Sequence, residues 1–224
     1  MLRWFFAAAL LASSCTTAEI ASAPSEEGVR AYRDKDYETA WGMLAPLAAK
    51  GHYRAQRYQA FMLLEGNAPI ECGPEGCERQ AVALLLDGAR RGDNNSLIVL
   101  EAMRASDASY APTDADLLAI ELERAGTGDP MTAWRLVKRY QTGAGVEQSA
   151  EQALRWLKVT AAGDPTTYSY APEAAFQVCQ AYVTGDGIEE NISVGRRWCK
   201  KAANQGHNGA VIALSQLDRA RRQR

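Results

Sequence analysis

The sequence predicts an all-α fold assembled from repeated helix pairs, and three observations predict it. The segment Ala133 to Gly163 reappears as Ala175 to Gly206, with Tyr140 over Tyr182, TGAGVE over TGDGIE and Trp156 over Trp198, every pair 42 positions apart. In the first copy Ala133, Leu136, Val137 and Tyr140 fall at i, i+3, i+4 and i+7, which places them on one helical face. A Gly-x-Gly turn at Gly143 and Gly145 then interrupts the pattern. A second apolar face follows in Ala153, Trp156, Leu157 and Thr160 or Ala161, stopped by Gly163 and Pro165. A phosphate-cradling loop is expected once, ahead of one nucleotide site. Here the glycine turn recurs with its whole neighbourhood, and neither copy has the Lys-Ser/Thr ending of a P-loop.

Residues 1–24 stand apart from the repeats. MLRWFFAAALLASSC has one cation, Arg3, then an apolar run from Trp4 to Ala12, then small residues. That is the layout of a secretory signal, and the run is too short to span a bilayer. Two exits fit it. LASSC resembles a lipobox, which makes Cys15 a lipidated first residue, although Ala12 takes the place where leucine is commonest. The other exit is ordinary cleavage after TTA at Ala18 or ASA at Ala23. Both export the chain to the periplasm, and the first adds an anchor to the outer membrane. Membrane contact is expected through that N-terminal lipid alone.

The repeat region is expected over 25–218. Ala31 to Gly51 reads as a short first helix and a full second one. Ala55 to Gly66 follows the first-helix pattern and Arg79 to Gly92 the second, with CGPEGC as an insertion between them. NSLIVLEAMR and DADLLAIELERAGTGD supply a degenerate pair that has lost its glycine turn. The two clear copies follow. KGHYRAQ and QGHNGAV occupy equivalent junctions, so His52 and His207 read as helix-start residues, not as ligands of one metal ion. Residues 219–224, RARRQR, form a basic, solvated helix end.

These motifs resemble the Sel-one-like repeat family, a relative of the tetratricopeptide repeat. Gly185, Gly187 and Ile188 match its glycine turn, and Trp198, Lys201, Ala202, Ala203 and Gly206 match its W-x-x-K-A-A-x-x-G ending. Gly143, Gly145, Val146 and Trp156 match in the copy before. The resemblance implies a right-handed α-solenoid of stacked antiparallel helix pairs, a superhelix of tetratricopeptide type in which each pair buries its apolar face against the next. It also implies a non-enzymatic scaffold or adaptor of the bacterial cell envelope that binds another protein on a concave face lined by first helices. A second reading comes from exported, disulfide-bearing members of the family: binding of a β-lactam or peptidoglycan fragment with weak hydrolase activity. Those members carry a cysteine pair in nearly every repeat, and this chain has one such pair.

Cys179 takes the place of Val137 in the preceding unit and Cys199 that of Leu157. The two places face each other across one helix pair, which favours a bond stabilising the fold by about 3 kcal/mol. The rival is a free, reactive Cys199, which needs exposure and a basic neighbour. Lys200 and Lys201 should point off the buried face. Cys72 and Cys77 frame turn formers that let the two sulfurs meet as a small disulfide loop. A zinc site there needs two further ligands, and none stands nearby.

No catalytic signature is present: no GxSxG elbow, no HExxH and no Walker loop, hence no cofactor or metal is called for. Lys and Arg total 25 against 27 Asp and Glu, so the charge that nucleic acid demands is absent. Candidate partner contacts lie on the first helices, off the shared apolar face. Arg57, Trp134 and Phe176 share one column of the repeat and Tyr58 and Arg135 the next. Lys138 and Arg139 extend the strip. Aromatics and arginines dominate interface energies, and the basic residues predict an acidic partner segment. The competing role for Trp134 and Phe176 is packing against a neighbouring second helix.

Overall fold

The structure, a computed structural model, describes residues 17–106 and 108–222. Among them it contains eleven α-helices and no strand. Cys15, Gln223 and Arg224 lie outside the described residues. The chain divides into two compact units, 1–88 and 89–224.

The first unit holds α1 (Thr17–Arg33), α2 (Tyr37–Ala49), α3 (Tyr53–Leu64) and most of α4 (Cys77–Arg90), whose last two residues fall past the division. Val29, Ala40, Leu44, Ala48, Ala55 and Met62 make its core, with Tyr32, Trp41 and Tyr58 packed around them. The first helix is not the short one predicted from Ala31, and the expected boundary at residue 24 falls inside it. The reason is packing: Ser25 and Val29, ahead of Ala31, are already buried. At Gly28 an added Cβ would stand 2.7 Å from Leu44 Cγ, so glycine lets α1 lie close on α2. The predicted role of His52 is seen directly. Its Nδ1 accepts the Ala55 N–H at 3.4 Å and caps α3.

The second unit holds α5 (Asn94–Ala105), α6 (Asp114–Gly126), α7 (Pro130–Thr142), α8 (Ala150–Thr160), α9 (Ala171–Thr184), α10 (Ile192–Asn204) and α11 (Asn208–Arg222). From α5 to α11 each helix packs on the next in series, and α9 also meets α11. The shared core includes Leu136, Val137, Trp156, Leu157, Ala174, Val178 and Ala202. Helix pairs that bury their apolar faces against the following pair define an α-solenoid.

The 42-residue register holds atom by atom. Ser149 N–H donates to Tyr140 O at 3.0 Å, and Asn191 N–H donates to Tyr182 O at 2.8 Å. Ser149 and Asn191 each cap the second helix of their pair through the side chain. The first glycine of each turn is left-handed, with φ 79° at Gly143 and 70° at Gly185, and closes the helix before it. The second glycine has a different task. A Cβ at Gly187 would stand 2.2 Å from the Cβ of Ala150, the first residue of α8. A Cβ at Gly145 would stand 3.7 Å from Asp114, the first residue of α6. Each second glycine therefore lays its turn on the start of the preceding second helix.

The copies differ at their tryptophans. Trp156 is buried in the shared core, whereas Trp198 is half-buried against its edge. The tail expected from residue 219 is helical through Arg222, as a continuation of α11.

Candidate functional site

Both predicted disulfides are present. Cys179 and Cys199 join α9 to α10 with Cα atoms 5.0 Å apart, and Cys72 and Cys77 close their loop with Cα atoms 5.1 Å apart. At Gly195, one turn before Cys199, an added Cβ would meet Val183 Cγ2 at 2.7 Å and Cys179 O at 3.2 Å. Glycine there brings α10 close enough to α9 for the bond.

The predicted contact residues separate into groups. Arg57 and Tyr58 belong to the first unit, where the guanidinium lies 5.6 Å from the Tyr58 ring centre and Tyr58 meets Tyr32 and Phe61 edge to face. In the second unit Trp134 stacks on Tyr170, with ring centres 5.6 Å apart and planes 4° from parallel. Lys138 Nζ lies 4.6 Å from the centre of the Trp134 ring, a cation–π contact. Burial pushes the Tyr170 phenol up to about 12, so it remains a neutral platform for the indole. Phe176 stacks on His207 with ring centres 4.4 Å apart.

His207 caps α11, as predicted, by accepting the Ala210 N–H on Nδ1 at 3.2 Å. With Nδ1 accepting, the neutral ring carries its proton on Nε2, which donates to Glu173 Oε2 at 2.9 Å. Gln177 donates to the other Glu173 oxygen at 2.8 Å, and Gln141 donates to Gln177 Oε1 at 3.2 Å. The Gln177 hydrogen bond first, then His207, holds the Glu173 carboxyl below its ordinary range.

The charge of the strip differs from the reading of the sequence. Arg135 is ion-paired with Glu101. Arg139 is paired with Glu121, donates to Ala144 O at 3.1 Å and lies 3.8 Å from Asp114. Glu121 is 1% exposed, and its burial pushes the carboxyl up while the Arg139 hydrogen bond and charge oppose the rise. Of the three predicted cations in this unit Lys138 is the exposed one, and Glu173 stands within its electrostatic reach. A strip expected to be basic is thus close to neutral.

Beside it opens a cleft of about 620 Å3 between the α7–α8 pair and α9. Its floor is apolar, with Ala153, Leu154, Leu157 and Ala181, and its rim carries the amides of Gln141, Gln148, Gln177 and Gln180. Glu173 and Asp186 supply its negative charge. Gln177 and Gln180 lay in the columns of the predicted strip, 42 positions after Arg135 and Lys138. Glu173, Gln141 and Gln148 did not, because they meet across helices at separations other than 42. Among the described residues no cluster of His, Cys, Asp and Glu could hold a metal ion.

Helix pairs in series and glycine turns at a fixed interval, with a cleft between one pair and the first helix of the next, define an α-helical repeat protein. Within it, the family model of the Sel1 repeat matches residues 133–164 and 172–207. The fold is similar to the crystal structure of a Sel1 repeat protein from Oxalobacter formigenes, with a TM-score of 0.56 and 17% identity over 86% of this chain and 74% of that one. It is similar also to a protective antigen of uropathogenic Escherichia coli strains displaying an SLR fold, with a TM-score of 0.56 and 19% identity over 88% of this chain. The match spans 41% of that antigen's chain. No curated protein matches the sequence. Sel1 repeats generally serve as non-catalytic scaffolds that bind other proteins.

Proposed function

We propose that this chain is a non-enzymatic scaffold of the bacterial cell envelope that holds a partner protein in the cleft between α8 and α9, against Trp134 and Lys138. The observation that carries the reading is the cleft itself, an apolar floor under a rim of amides. Such a surface suits a partner segment that buries small apolar groups and hydrogen-bonds through its backbone. The near-neutral strip argues against selection by acidic charge. The envelope setting is supported by the signal-like N-terminus, with Cys15 as its lipidation candidate, and by disulfides, which persist in oxidising compartments.

Ala181 supplies the test. Forty-two residues earlier its place is held by Arg139, which fills the corresponding space between α6 and α7. Replacing Ala181 by Arg should plug the cleft and abolish capture of a partner from an envelope fraction, with helical circular dichroism unchanged. Equal capture by the folded variant and the natural chain rules the cleft out.

A further inference from the structure

The two disulfides are built for different lives. Cys179 and Cys199 are 1% and 0% exposed, sealed between α9 and α10. Cys72 and Cys77 are only partly covered and are separated by 5 positions, and Cys77 is the first residue of α4. Exchange requires a thiolate to approach one sulfur along the S–S axis, so access separates a labile bond from an inert one. The folded protein shields the α9–α10 bond and leaves the loop bond open.

The surroundings also fix the direction of exchange and the class of substrate. The N-terminus of α4, a helix of 14 residues, favours negative charge on the Cys77 sulfur and so makes it the better leaving group. Exposed Glu71, Glu75 and Glu78 flank the pair, against Arg79 as the cation adjoining them in the chain. They oppose an anionic thiol and admit a neutral or cationic one. The same loop contributes Ile70 to a cleft of about 400 Å3 whose other walls include Trp41, Leu63 and Leu84. Within the loop Gly76 N–H donates to Gly73 O at 2.9 Å, inside the ring that the disulfide closes.

We propose that Cys72–Cys77 is a thiol-exchange site for a neutral or cationic dithiol, and that its reduction loosens residues 67–76 and with them the Ile70 wall of the cleft. A thiolate of the dithiol attacks Cys72 Sγ, the bond to Cys77 breaks, and Cys77 leaves as a thiolate that water protonates. The second thiol of the reagent then attacks the mixed disulfide and releases Cys72 as a thiol. Two electrons pass to the protein, both cysteines end protonated, and the dithiol ends as its disulfide.

The full chain is titrated with dithiothreitol under native conditions, quenched with acid and alkylated, and each cysteine is read by peptide mass mapping. Cys72 and Cys77 should be alkylated at a dithiothreitol concentration about tenfold lower than Cys179 and Cys199. Glutathione, an anionic monothiol, should open the loop more slowly than dithiothreitol at equal thiol concentration, and Glu75→Gln with Glu78→Gln should narrow that difference. Simultaneous opening of both pairs, or a loop that outlasts the α9–α10 bond, overturns the exchange site. Hydrogen exchange over 67–76 should rise on reduction and match the Cys72→Ser, Cys77→Ser variant. No rise in either sample overturns the loosening.

Discussion

In the repeat 133–163 the residue after Lys138 is Arg139, which reaches back to buried Glu121 and fills the space against α6. In the repeat 175–206 the equivalent residue is Ala181, and a cleft lies beside it. The pair α7–α8 is packed by Val137 and Leu157, whereas α9–α10 is closed by Cys179 and Cys199, with Gly195 in the place of Ala153. Yet both units keep the same glycine turn, the same side-chain cap and the same hydrogen bond onto the tyrosine carbonyl. The frame is fixed by these few groups. What each unit offers a neighbour or a partner is fixed by residues the frame leaves free to vary.

The largest expected effect breaks the comparison at Arg139. Arg139→Leu leaves Glu121 buried without its partner, a change that typically costs about 3–5 kcal/mol. Its pH dependence follows from the Glu121 carboxyl, which lies above its ordinary value of 4.5 in the folded state. The folded chain then binds more protons than the unfolded one between that value and the raised one, so stability falls as pH rises through this window. Urea unfolding of the variant should accordingly show a larger penalty at pH 7 than near pH 4.5, where the carboxyl is protonated in the folded state. A loss that is the same at both pH values contradicts the assignment to Glu121.

Next in size is the disulfide. Cys179→Ala with Cys199→Ala should lower stability by about 3 kcal/mol in urea unfolding without reductant. The same pair of variants measured in strong reductant should show much less difference from the natural chain. If the loss is equal with and without reductant, packing and not the bond holds α9 to α10.

The smallest effect sharpens the glycine comparison. Gly187→Ala drives a methyl group into Ala150 and should cost about 1–3 kcal/mol. Gly145→Ala shares the left-handed φ but meets chiefly the Arg139 guanidinium and the Asp114 side chain, which can shift, so its loss should be smaller. Thermal unfolding of the two variants side by side checks the order, and the reverse order contradicts it.

The frame was legible in the sequence because it is periodic. Tyr140, Gly143, Gly145 and Trp156 announce themselves by returning at the same interval, and Cys179 and Cys199 could be paired by their places in it. The ion pair of Arg139 was not legible, since Glu121 lies in the pair α5–α6 that has lost its glycine turn and with it the register. Arg139 therefore read as a free cation. The extent of α1 was hidden for another reason: Ser25, Gly28 and Val29 adjoin a signal-like segment, and Pro24 breaks the helical pattern just before them. The half-burial of Trp198 was not legible either, since its place in the repeat is the one that buried Trp156 holds in the copy before.

Photo-crosslinking tests the partner face most directly. A benzophenone amino acid is placed at exposed Gln180 on the cleft rim, and in a second protein at exposed Arg197 on α10. Irradiation in an envelope fraction should give one discrete adduct from position 180 that Ala181→Arg removes, and none from position 197. An adduct from position 197 alone, or one from position 180 that survives the plugged cleft, contradicts the account.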